Sequence, residues 1–182
     1  MSAGTPEPPA PEPPIRRRWG RYVVAALITV ALLVAVAVRA GLLRPLVTVT
    51  AGPYGAEPGR GERNVVLVLD VRNRAPVPVR ITGAGERVNG LDLERVELTD
   101  AHGRTTTGQV TAGPGDRVRL TLHYRVYDCD LVPDDALAVP VSTTTPLGIP
   151  GLVRGVDRLG TGDSGDASPW TVALTRPVCR PG

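Results

Sequence analysis

From Asn64 onward, apolar and polar residues follow one another with a period of two. Val65 to Val71 is nearly all apolar at first and then alternates. Val77, Val79 and Ile81 alternate with Pro78, Arg80 and Thr82. The longest regular pattern runs from Arg117 to Tyr127. There Val118, Leu120, Leu122, Tyr124 and Val126 take one phase, and Arg117, Arg119, Thr121, His123, Arg125 and Tyr127 take the other. This predicts a strand with one face on a core and one in water, with His123 solvated. Leu91 and Leu93 are in one phase while Val96 and Leu98 are in the other, so a bulge or turn is expected at Glu94-Arg95. Leu137 to Val141 and Trp170 to Leu174 read as two more strands. Turn signals separate them at Ala75-Pro76, Gly83-Ala84-Gly85, Asp100-Ala101-His102-Gly103 and Gly113-Pro114-Gly115-Asp116. About seven short strands, with no convincing soluble helix, predict an all-β, immunoglobulin-like β-sandwich over residues 64–182. A small barrel is the alternative.

The N-terminal pattern is different. Tyr22 to Val38 contains no charge, Gly or Pro, and ten of its residues are Val, Leu or Ile. Those ten favour membrane insertion by about 3–6 kcal/mol. A transmembrane helix, a signal anchor, is expected over residues 19–43. Trp19 and Tyr22 stand at the interface, Arg39 snorkels to the outer one, and Pro45 stops the helix. Arg16, Arg17, Arg18 and Arg21 precede the span, so the positive-inside rule places the N-terminus in the cytoplasm and residues 44–182 outside. A signal peptide cut after Ala37, in the Ala35-Val36-Ala37 step, is the alternative and releases a secreted module. Arg16-Arg17-Arg18-Trp19 resembles a twin-arginine export signal, although Gly20 stands where a second apolar residue belongs. Residues 1–18 read as a disordered, Pro-rich cytoplasmic tail, and residues 44–63 as a Gly/Pro-rich connector.

Composition refines this picture. The chain has 182 residues, 3% aromatic and without Phe, so its core must be Val and Leu. All 21 basic residues are Arg. Residues 1–43 carry five of them against Glu7 and Glu12, and the remaining Arg are matched by an equal number of acids. The net charge of +3 thus belongs to the N-terminal flank, and no basic domain exists to grip a nucleic acid. The two cysteines, Cys129 and Cys179, are expected to form a disulfide in an oxidising compartment, worth about 4 kcal/mol by loop-closure arithmetic.

Two groups tempt a catalytic or metal reading. Gly162-Asp163-Ser164-Gly165 matches the core of the chymotrypsin-like nucleophile motif, and Thr99-Asp100-Ala101-His102 echoes the histidine motif of that family. A serine hydrolase using Ser164 and His102 is therefore an alternative, against which stands the lack of room for two barrels. Asp128, Asp130, Asp134 and Asp135 crowd around Cys129, but their spacing does not fit a Ca²⁺ loop. No catalytic residue, cofactor or metal is expected. Segment 142–169 is long for a loop in a compact domain and is expected to pack in part, to form an edge strand, or to offer a partner surface.

The stretch His123-Tyr124-Arg125-Val126-Tyr127-Asp128-Cys129-Asp130-Leu131-Val132-Pro133 resembles a signature of uncharacterised actinobacterial exported proteins. The order of parts is similar as well: an Arg-rich flank, one apolar span, a β domain, a Tyr-Arg-Val-x-Asp-Cys segment and a late second Cys. The resemblance implies export and implies no activity. The expected protein is a single-pass envelope protein carrying a non-catalytic binding module. Its partners are the lipid bilayer and, outside, another envelope protein or a cell-wall polymer.

Overall fold

The computed structural model describes residues 15–56, 63–160 and 167–179, with side chains from residue 20 onward. The tail expected over residues 1–18 falls outside them for residues 1–14, as do the side chains of Arg16, Arg17 and Arg18. The chain divides into two units, Met1–Ala37 and Val38–Gly182.

The first unit is the greater part of one helix, α1, Ile15–Arg39. Its stretch Gly20–Arg39 is long and apolar enough to cross a membrane, and none of it is buried against protein. The Thr29 hydroxyl within it donates to the Ala25 carbonyl at 3.0 Å and so needs no outside partner. The helix stops at Arg39, short of the expected Leu43. Gly41 adopts φ +73° and its N–H donates to the Val38 carbonyl, a left-handed helix end that a side chain would strain.

The second unit is mostly β. Its strands are β1 Val47–Ala56, β2 Asn64–Asn73, β3 Val79–Ala84, β4 Leu91–Thr99, β5 Thr105–Thr106 and β6 Val110–Ala112. They continue with β7 Arg117–Val126, β8 Pro140–Thr144, β9 Pro150–Arg154, β10 Arg158–Gly160 and β11 Ala167–Pro169, followed by a helix, α2, Trp170–Cys179. A five-stranded sheet has the order β1-β2-β7-β4-β5, and a four-stranded one the order β6-β3-β8-β9. β10 and β11 pair by themselves.

One apolar core joins these layers. The period-two residues Val65, Leu67, Leu69 and Val71 of β2 are fully buried, and so are Leu120 and Leu122 of β7. Ile81, Val141, Leu159, Trp170 and Leu174 close the same cluster. The phase slip in β4 is a bulge at Glu94. Leu93 pairs with Tyr124 while Arg95 pairs with His123, so both halves of the strand keep their leucines inward.

Further sequence expectations differ from the structure, among them the strand expected over Leu137 to Val141, which is β8, Pro140–Thr144. Residues 47–56, within the expected connector, are strand β1, paired along β2 from Val47↔Asn73 to Ala56↔Val65. Val47 and Val49 supply the alternation, and a bulge between Ala51 and Tyr54 absorbs Gly52-Pro53. Trp170 to Leu174 is helix, because burying Trp170, Ala173 and Leu174 together needs the i, i+3, i+4 face of a helix. His123 keeps its outward phase but is only 7% exposed. It sits mid-sheet between its cross-strand neighbours Val66 and Arg95, whose side chains flank the ring.

Strand direction sets the two ends of this unit. β1 enters beside the end of β2, and the Arg74 N–H donates to the Leu46 carbonyl at 2.7 Å. β7 starts at this entry end, opposite Arg72, and finishes beside Asn64 at the far end. Ten residues of strand separate the ends by about 33 Å.

Candidate functional site at the far end of the sheet

The segment leaving β7 at the far end is held through a reciprocal pair of bonds between Gly90 and Tyr127. The Tyr127 N–H donates to the Gly90 carbonyl at 3.0 Å, and the Gly90 N–H donates back to the Tyr127 hydroxyl at 3.0 Å. Gly90 has φ +81°, and a methyl there would lie 2.5 Å from the Asp128 carbonyl oxygen. Only glycine permits so close an approach. Asp128 then caps its own turn, accepting from the Asp130 N–H at 2.9 Å.

α2 is tied across this segment at both ends. Near its start the Thr171 hydroxyl donates to the Pro133 carbonyl at 2.8 Å. At its end Cys179 is disulfide-bonded to Cys129, with Cα atoms 5.7 Å apart. Between the ties lies a hollow of about 330 Å³. Its apolar lining comes from Val132, Val172 and Ala173, and its polar lining includes Asp134, Ser168 and Arg176. The disulfide forms part of the wall. The volume lies at the lower edge of the usual range for small-ligand sites, roughly 300–1,000 Å³. An apolar floor with an exposed carboxylate and an exposed guanidinium suits a side chain or small group bearing both characters.

Beside the hollow the Trp170 and Tyr124 rings pack at 5.5 Å between centroids. Burial pushes the Tyr124 hydroxyl well above the ordinary phenol range, with the Glu86 backbone amide opposing weakly. Neither that hydroxyl nor Trp170 Nε1 makes a hydrogen bond among the described residues.

The cysteines expected to pair are therefore joined. The other tempting residues do not converge. Ser164 and its Gly-rich loop lie outside the described residues. His102 is an exposed turn residue whose N–H donates to Asp100 Oδ1 at 2.8 Å. Asp100 also accepts from the backbone and guanidinium of Arg104, and the Arg104 amide is the main reason its carboxyl sits below the usual range. Asp100 thus serves its own turn. Among the described residues no group of three His, Cys, Asp or Glu is placed to hold a metal ion. Arg21 lies on α1, in the exposed part of that helix. Of segment 142–169, residues 150–154 form the edge strand β9.

Sequence reasoning missed the hollow because it missed α2. The available signal was the spacing of Trp170, Ala173 and Leu174, together with Thr171 and Thr175 four apart. The Thr175 hydroxyl donates to the Thr171 carbonyl at 2.9 Å, a bond made within a helix.

No protein-family model matches the chain, and no curated protein sequence matches it. Among solved structures it is similar to the apo PmoF2 PCuAC domain, at 17% identity and TM-score 0.36, covering 66% of this chain and 95% of that one. It is also similar to a FixG-related protein from Vibrio parahaemolyticus, at 17% identity and TM-score 0.29, covering 62% of this chain and 95% of that one. Likeness of this degree carries no assignment of ligand.

Proposed function

We propose that this chain is a single-pass envelope protein, N-terminus inside, whose external domain is a non-catalytic binding module of immunoglobulin-like sandwich type. The module offers the hollow between α2 and residues 128–135 to another envelope protein or a cell-wall polymer. The Cys129–Cys179 disulfide, in the unit that comes after an apolar helix of spanning length, carries this reading. Disulfides persist in oxidising compartments, and the basic flank before the span favours export of the residues C-terminal to it. Strand order supports the sandwich type. β1-β2-β7-β4 corresponds to the A-B-E-D sheet of that fold, and β3-β8-β9 to its C-F-G sheet. The position of the hollow supports a binding role, since it opens at the end of the domain away from the chain's entry.

The test uses the full chain in intact cells and isolated membranes. The chain should resist carbonate extraction, its thiols should alkylate only after reduction, and a C-terminal tag should be cleaved by added protease. A mature N-terminus near Val38 in the medium would replace the anchor by the secreted form. Free thiols in the native chain would remove both. For the binding role, wild type should pellet with insoluble cell-wall material or crosslink to an envelope protein, and Val172→Arg should abolish this. Equal behaviour of the two would remove the hollow from the account.

A further inference from the structure

One surface of the domain is apolar, exposed and shaped for presentation. It is the turn between β8 and β9. Leu147 is 60% exposed at its tip and Leu152, on β9, is 70% exposed. The turn is not slack. The Thr145 N–H donates to the Ile149 carbonyl at 3.0 Å, the Gly148 N–H donates to the Thr145 carbonyl at 2.9 Å, and the Ile149 N–H donates to the Thr145 hydroxyl at 3.2 Å. Gly148 takes φ +77° to close it. Leucine held out by a closed turn loses little freedom when it is buried by a partner.

Two close approaches fix which way this turn points. A methyl added at Gly151 would lie 2.8 Å from Pro45 Cγ, and one at Gly155 would lie 3.4 Å from Val49 Cγ1. β9 therefore runs alongside the start of β1 in the same direction. The residues preceding β9 project toward the residues preceding β1, which come from the apolar helix. The short run from Arg39 to Pro45 reaches at most about 20 Å. The same end carries basic side chains. Arg44 and Arg74 are exposed there, and the nearby Asp116 carboxylate is engaged by the Gly113 N–H at 2.9 Å.

We propose that the β8–β9 turn is a membrane-surface contact, with Leu147 and Leu152 entering the outer leaflet at the boundary of headgroups and acyl chains, and Arg44 and Arg74 beside anionic headgroups. This rests on the anchored reading, since the helix must lie in that bilayer. Apolar side chains next to arginine on a surface facing lipid are the composition that interfacial segments use. The contact orients the domain on its membrane and leaves the hollow at the far end facing outward.

The experiment places an environment-sensitive fluorophore on Leu147→Cys, Leu152→Cys or, at the far end, the exposed Ala136→Cys in the full chain. Cys129 and Cys179 are joined and do not take the label. Each chain is reconstituted in phosphatidylcholine vesicles containing phosphatidylglycerol and a lipid with a nitroxide high on its acyl chain. The Leu147 and Leu152 probes should be quenched roughly threefold or more while the Ala136 probe is unaffected, with weaker quenching when phosphatidylglycerol is omitted. Vesicle-bound chain with all three probes unquenched overturns the proposal and leaves the anchor standing. Probes shielded from water, unquenched by lipid and stacked on one another would assign the turn to contact with a second copy, and so overturn it. Chain that separates from the vesicles under carbonate overturns the anchor and the proposal together.

Discussion

Trp170, the first residue of α2, sets its indole 5.5 Å from the ring of Tyr124 on β7, with the planes inclined by 41°. This pair ties the first turn of the helix to β7, while α2 also packs against β1 and β2 of the same sheet. The chain contains two Trp, four Tyr and no Phe, so a large share of its aromatic bulk is concentrated here. Trp170 is 2% exposed. Replacing it by Ala should cost about 4 kcal/mol, the usual range for emptying a large aromatic site. Urea unfolding followed by far-ultraviolet circular dichroism measures it. A cost under about 1 kcal/mol would mean that α2 does not close the core.

The Tyr124 hydroxyl adds a pH dependence. Burial disfavours its phenolate, so the folded-state value lies above the unfolded one. Its contribution is fully present below about pH 10, where the unfolded phenol titrates, and is lost as pH rises beyond that. The unfolding midpoint should hold up to about pH 10 and fall as pH rises beyond it. Tyr124→Phe removes a hydroxyl without a hydrogen-bond partner among the described residues, so it should change neutral-pH stability by less than about 1 kcal/mol. The variant should also lose much of the alkaline sensitivity. An unchanged alkaline slope would show that other groups set it.

Reduction should loosen the far end first. The disulfide joins residues separated by 50 positions, and opening it should lower stability by about 4 kcal/mol in the chain-entropy model. Cys129→Ser with Cys179→Ser should show the same loss by guanidinium unfolding. Hydrogen exchange should rise in residues 128–135 and α2 before it rises in β2 or β7.

Gly90→Ala is a sharper probe of the hollow than any residue lining it. The added methyl meets the Asp128 carbonyl at 2.5 Å and Val132 Cγ2 at 2.8 Å, at a backbone angle that favours glycine. Residues 128–132 must move. The variant should lose about 2–3 kcal/mol. It should also lose whatever binding the hollow supports, while the Leu147 probe stays in the bilayer.

Asn73 pins the opposite end. Its side-chain amide shares its two N–H groups among the carbonyls of Val77 at 2.8 Å, Ala112 at 3.0 Å and Gly113 at 3.0 Å. Its oxygen accepts from the Ala75 N–H at 2.9 Å. Asn73→Ala leaves several buried backbone groups without partners and should cost about 3 kcal/mol, whereas Asn73→Asp should be worse because it turns donors into acceptors. Thermal unfolding ranks the two.

Much of the sheet was legible in the residues because its physics is local. The alternation over Arg117 to Tyr127 appears as β7, and the phase slip at Glu94 appears as the bulge that lets Leu93 and Val96 share one face. The mostly β character of the second unit comes from the same alternation. β1 was obscured because Gly52 and Pro53 interrupt its alternation, and only pairing along β2 overrides them. α2 was obscured for the opposite reason. Trp170, Thr171 and Val172 favour strands one by one, and their helix exists because tertiary burial and two ties to residues 128–135 outweigh local preference. The cysteine pair could be named from the sequence, since only two cysteines were available. The hollow between them could not, since it depends on that helix.

The bond between Cys129 and Cys179 has one more effect, on damage. Any cut of the backbone between those two sulfurs yields pieces that remain one covalent object. The nicked domain keeps its strands at the high local concentration of a loop and can re-form without finding a lost fragment. A protease would thus have to act together with a reductant to dismantle it, and a gel run without thiol would hide the wound altogether.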